Sequence, residues 1–75
     1  MSGLVKRSFS LAGHRTSVAL EEEFWVALSH VASARGQNLS ALVAAVDAAR
    51  PASRPLASAL RVLALQEAPR SLTEM

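Results

Sequence analysis

The chain has 75 residues, no cysteine, and 51% hydrophobic residues dominated by alanine and leucine. A domain of this size buries only about 60% of its unfolded surface and commonly leans on disulfides, a metal or a partner; without cysteine, disulfides and thiolate metal sites are excluded, which fits a reducing, cytoplasmic setting and a soluble oligomer. Net charge is +2, yet Lys6, Arg7 and Arg15 give residues 1–20 a charge of +3 with no acid, whereas residues 21–75 carry five cations and six acids. A polyanionic partner would therefore be drawn to the N-terminal end, if those cations share one surface.

The first residues are followed by no apolar run long enough for a signal peptide or a membrane span, so neither secretion nor a membrane partner is expected. Val5 to Leu11 alternates, with Val5, Arg7, Phe9 and Leu11 on one side and Lys6, Ser8 and Ser10 on the other, which makes a short strand plausible. Ala12, Gly13 and His14 supply a turn, because glycine takes positive φ at little cost. Arg15 to Leu20 also alternates: Thr16, Val18 and Leu20 face inward, and Arg15, Ser17 and Ala19 face out. Taken as a lone strand ahead of helices, this segment lacks a partner in its own chain and calls for a second subunit. A two-stranded ribbon built between subunits is also one of the few elements that fits the major groove of DNA.

The period then changes. Phe24, Trp25, Leu28, Val31 and Ala32 recur at three- and four-residue steps, predicting a helix over about 22–35. Glu21, Glu22 and Glu23 fall at its start, where carboxylates complement the helix dipole; successive helical side chains diverge, so the run is not read as acid/base or metal chemistry. Gly36 is a good stop, and Trp25 is expected in a dimer core. Asn38 is a strong N-cap for a second helix over about 39–50, with Leu39, Leu42, Val43, Val46 and Ala49 on one face and Pro51 beyond its end. After the stiff segment Pro51 to Pro55, Leu56, Ala59, Leu60, Leu63 and Ala64 mark a third helix over about 56–67. Residues 70–75 read as a frayed tail. The whole of 1–75 is expected to be a single domain, with its strand region at about 5–20.

The pairing of two helices through a glycine turn invites a helix-turn-helix reading. That motif needs polar side chains at the start of the second helix. Here the stretch Leu39 to Val46 offers only Ser40, so any base reader must be the strand. Chemistry of other kinds finds no support: His14 and His30 lack a His-x-x-x-His or similar ligand pattern, and there is no Gly-x-Ser-x-Gly turn or glycine-rich phosphate loop. No enzyme activity, catalytic residue, metal or cofactor is expected.

The order of motifs is informative as a whole. The strand Arg15 to Leu20, the acidic helix start, a first helix ending Arg35-Gly36 and a second opening Asn38-Leu39-Ser40-Ala41-Leu42 together resemble the ribbon-helix-helix family of the Arc and MetJ repressors. The longer string from Lys6-Arg7-Ser8 through Gly13 to Ser17, Phe24-Trp25 and Asp47 to Arg50 resembles a bacterial subgroup of that family with an added C-terminal helix, here carrying Ser58 to Arg61. The resemblance covers residues 6 to about 65. It implies a mainly α fold with a short β ribbon, an intertwined homodimer with intermolecular antiparallel strands, and sequence-specific binding of double-stranded DNA, with a repressor role. Carried over by position, it makes Arg15, Ser17 and Ala19 the outward ribbon residues, lets the amides of Leu39 and Ser40 clamp a phosphate, and adds the basic residues Lys6 and Arg7. Ala19 offers only apolar contact, and Glu21 stands where the family often has a better cap or a proline. The alternative is a dimeric interaction module, antitoxin-like or an assembly adaptor, using a third helix whose outer face would hold Arg54, Ser58, Arg61 and Gln66.

Overall fold

A computed structural model describes residues 3–67, and the expected tail at 70–75 lies outside them. Five elements follow in chain order: β1 (Leu4–Leu11), β2 (His14–Glu21), α1 (Glu22–Ala34), α2 (Leu39–Ala49) and α3 (Leu56–Gln66). The two strands form an antiparallel hairpin in which Leu11 pairs with His14, Phe9 with Thr16, Arg7 with Val18 and Val5 with Leu20. Its connection is a two-residue turn, with φ of +50° at Ala12 and +82° at Gly13. Positive φ at both central positions is the turn geometry whose twist matches that of paired strands.

The hairpin corrects one expectation. Arg15 to Leu20 does have a partner in its own chain, and the ribbon is intramolecular rather than made by two subunits. The physical reason is local: Val5 to Leu11 presents a matching apolar face, and closing a two-residue loop costs far less chain entropy than recruiting a second molecule. His14 accordingly opens β2 instead of sitting in the turn.

One face of the hairpin is covered by helices. Phe9, Leu11, Val18 and Leu20 are buried there against Trp25, Leu28, Val31 and Ala32 of α1, Leu42 and Val43 of α2, and Leu56, Leu60 and Ala64 of α3. These are the apolar positions that the helical periodicities single out, except that Phe24, Leu39, Val46, Ala59 and Leu63 are half-buried and Ala49 is exposed. Trp25, expected in a dimer core, is already 1% exposed within one chain. Its indole Nε1–H donates to the Val5 carbonyl at 2.8 Å, and its ring lies 5.8 Å from that of Phe9. A single tryptophan thus ties β1 to α1 through both its apolar body and its polar edge.

Local sequence sets the helix ends. After α1, the Gly36 amide donates to the Ser33 carbonyl at 3.0 Å and the Gln37 amide to the Ala32 carbonyl at 2.8 Å, with Gly36 at φ +69°. This paired closure consumes carbonyls that the last turn leaves open and needs a left-handed residue, hence glycine. Asn38 caps α2, its Oδ1 accepting from the Ala41 amide at 2.8 Å. α3 starts after Pro55 without a side-chain cap.

Candidate nucleic-acid interface

Strand parity fixes what the uncovered face of the hairpin displays. Lys6 stands opposite Ala19, Ser8 opposite Ser17, and Ser10 opposite Arg15. Lys6, Ser8, Ser10, Arg15 and Ser17 are exposed and Ala19 is half-buried. Across the strands, the Ser8 and Ser17 hydroxyls are hydrogen-bonded at 3.1 Å. The result is a two-stranded surface with a cation on each strand and hydroxyls between them, formed on a hairpin narrow enough for a major groove.

The sequence-derived site residues divide on this surface. Lys6, Arg15, Ser17 and Ala19 share the outer face, while Arg7 belongs to the opposite face, where its guanidinium lies 5.3 Å from the centroid of the Trp25 ring. Leu39 and Ser40 open α2, and with Asn38 engaged by Ala41, the helix itself supplies no acceptor for their amides. Ser8 and Ser10 join the outer face only because β1 pairs with β2; alternation placed them with Lys6 but could not place that side of β1 beside Arg15 and Ser17.

Glu21 shares the same parity, paired with Leu4 at the end of the ribbon nearest α1. Sequence put it in the first helical turn; in the structure it closes β2 and stands as N-cap of α1 without capping through its side chain. Its carboxylate instead accepts two hydrogen bonds from Arg61 of α3, from Nη2 at 3.0 Å and Nε at 3.2 Å, both to Oε1. The Arg61 guanidinium also lies 5.6 Å from the Phe24 ring centroid. The bond to its own backbone amide, followed by the Arg61 hydrogen bonds and charge, holds the Glu21 carboxyl below its ordinary pKa. Arg61 was assigned from sequence to the outer face of α3, and its contact with a residue 40 positions earlier has no local signal.

Among the described residues, no three His, Cys, Asp or Glu side chains come together as metal ligands, and no helix is long and apolar enough to cross a membrane.

A two-stranded ribbon backed by helices defines a class of small ribbon-and-helix domains, an architecture that some DNA readers present to a groove. The description of a matching family model is more particular: a ribbon-helix-helix domain, aligned over residues 4–68. The chain belongs to the ribbon-helix-helix family, whose members typically dimerise, bind DNA and regulate transcription, and are generally not enzymes. α3 extends the minimal ribbon and two helices. No curated protein and no solved structure matches the chain.

Proposed function

We propose that the protein is a sequence-specific DNA-binding regulator of transcription, acting in the cytoplasm as a repressor, whose hairpin enters the major groove with its outer face toward the bases. The observation that carries this reading is the shared face of Lys6, Ser8, Arg15 and Ser17, free of helix packing and cationic on both strands. Arg15 can hold a guanine through two hydrogen bonds, Ser17 and Ser8 can donate or accept, and Ala19 can contact a thymine methyl. Lys6 and the amides of Leu39 and Ser40 supply phosphate contacts that set register, while Arg7 contributes through the ribbon it braces and not as a reader.

The working unit is a homodimer, each copy reading one half-site. Its support is α2, which is apolar nearly all round yet leaves Ala41, Ala44, Ala45, Ala48 and Ala49 exposed in a single chain; a helix of that composition is normally buried. The free edge of β2 is the other candidate seam. Magnitudes favour the helix: four strands at about 4.8 Å spacing make a sheet roughly 14 Å across, wider than a major groove of about 12 Å, whereas a two-stranded ribbon enters. Selection of bound sites from random duplexes is the decisive experiment. Recovery of a two-fold motif is expected, and recovery of no enriched sequence would remove the readout claim.

A second reading, a protein-interaction module working through α3, is favoured by one feature. A groove of about 580 Å³ between α2 and α3 is lined by Val46, Val62 and Leu63 together with Arg35, Arg50 and Arg54. Asp47 and Glu67 neutralise Arg50 and Arg35 in part, at 2.9 and 3.2 Å, which leaves the lining net positive. Its complement is an acidic amphipathic segment of a partner protein, and such an occupant is compatible with DNA on the ribbon.

A further inference from the structure

The ribbon's outer face carries one acid. Glu21 shares the parity of Arg15, Ser17 and Ala19, and an anion there would repel the phosphates that the neighbouring cations attract. Its single neutralising partner among the described residues is Arg61, which belongs to α3 and reaches across to the end of β2. Arg61 is held from two sides, by the carboxylate and by the face of Phe24. Both side chains of the pair are partly open to water, 34% exposed for Arg61 and 42% for Glu21. An ion pair so exposed contributes little to folding, so stability is a poor reason for its geometry. An electrostatic effect on an adjoining polyanion needs no burial, because the cancelled charge acts over the Debye length.

We infer that Arg61 is a positioning residue of the nucleic-acid surface: from α3 it cancels the Glu21 carboxylate, the one acid that shares the ribbon's outer face with Lys6, Arg15 and Ser17, while the exposed Glu22 and Glu23 lie beyond that face at the start of α1. α3 is thereby part of the binding apparatus and not only an extension of the core. This assignment rests on the DNA-binding reading above.

The test is a four-member cycle in the full chain: wild type, Arg61→Gln, Glu21→Gln and the double variant, each titrated by fluorescence anisotropy with a selected duplex at fixed salt. Circular dichroism and urea unfolding establish that each variant is folded at the titration temperature. Arg61→Gln exposes the carboxylate and is expected to weaken binding by about three- to tenfold. The double variant should return to within about twofold of wild type, and Glu21→Gln alone should bind at least as well as wild type. A loss that Glu21→Gln does not rescue overturns the inference, since it would mean that Arg61 touches DNA itself or acts through the fold. Unchanged affinity in Arg61→Gln overturns it equally. Should Arg61→Gln not fold, Arg61→Met and the double variant Arg61→Met/Glu21→Gln carry the test: a loss in the first that the second restores supports charge cancellation, and unchanged affinity or an unrescued loss overturns it. Wild type that binds no duplex overturns the proposed function itself, an outcome distinct from wild-type binding that is indifferent to Arg61.

Discussion

At the scale of single residues, Arg15 and Trp25 show how alternation sorts side chains into separate duties. Arg15 faces outward, paired with Ser10, and its exposed guanidinium has nothing to do in the core. Arg15→Ala should leave the unfolding midpoint nearly unchanged and weaken binding to a selected duplex by about 1–3 kcal/mol; equal affinity in a titration would reduce it to a solvated side chain. Trp25 is the reverse case, buried and bonded to the Val5 carbonyl. Trp25→Phe keeps most of the apolar area but removes the indole donor to the Val5 carbonyl, and a loss of about 0.5–1.5 kcal/mol in urea unfolding is expected. Glu21 adds a pH dependence of defined sign. Its carboxyl pKa is lowered in the folded state, so its contribution to stability is fully present above the ordinary glutamate value. That contribution disappears as pH falls through the depressed one. Wild type should therefore lose its small stability advantage over Glu21→Gln on acidification below the ordinary glutamate range, and a constant difference down to strongly acid pH would refute the assignment.

At the scale of elements, the hairpin is where the structure departs most from expectation. Period-two patterning showed two alternating segments, and glycine showed a turn between them, but pairing within the chain depends on the turn closing in two residues. That closure forces Ala12 to φ +50°, a conformation that costs an alanine about 1–2 kcal/mol. Ala12→Asn, whose side chain tolerates this region, should raise stability by about 0.5–1 kcal/mol, read as a thermal midpoint several degrees higher. A lowered midpoint would mean that the turn is not formed as described. The helices were more legible, since their start and stop signals act locally: Asn38 reaches only to Ala41, and Gly36 closes α1 over the carbonyls just behind it. Glu21 was misplaced by one element because acidic residues are favoured at any helix start, and only Arg61 shows where this one is held.

At the scale of the whole molecule, the described residues close a core of thirteen buried apolar side chains and yet leave Ala41, Ala44, Ala45, Ala48 and Ala49 of α2 exposed. The two-stranded ribbon followed by helices is the architecture expected of the family, with its strands paired inside one chain, while the association of copies is a proposal resting on α2. Sedimentation at micromolar concentration should show a dimer, and its DNA affinity should fall steeply with salt as several cations per dimer displace counterions. A folded monomer under those conditions would remove the dimer from the proposed function, and a salt-insensitive affinity would favour the partner-module reading.

What the sequence determined by itself was everything governed by short-range rules: the alternation that gives Lys6, Ser8, Arg15 and Ser17 their outward side, the caps at Asn38 and Gly36, and the motif order that resembles the ribbon-helix-helix family. What only the tertiary structure decided was which side chains meet across long stretches of chain. The register of β1 on β2 put Ser8 beside Ser17, the hairpin carried Arg7 onto Trp25, and the fold of α3 brought Arg61 to Glu21. Local periodicity fixes the direction of a side chain relative to its own element, but a contact between elements depends on how several apolar faces pack at once, and no single segment encodes that.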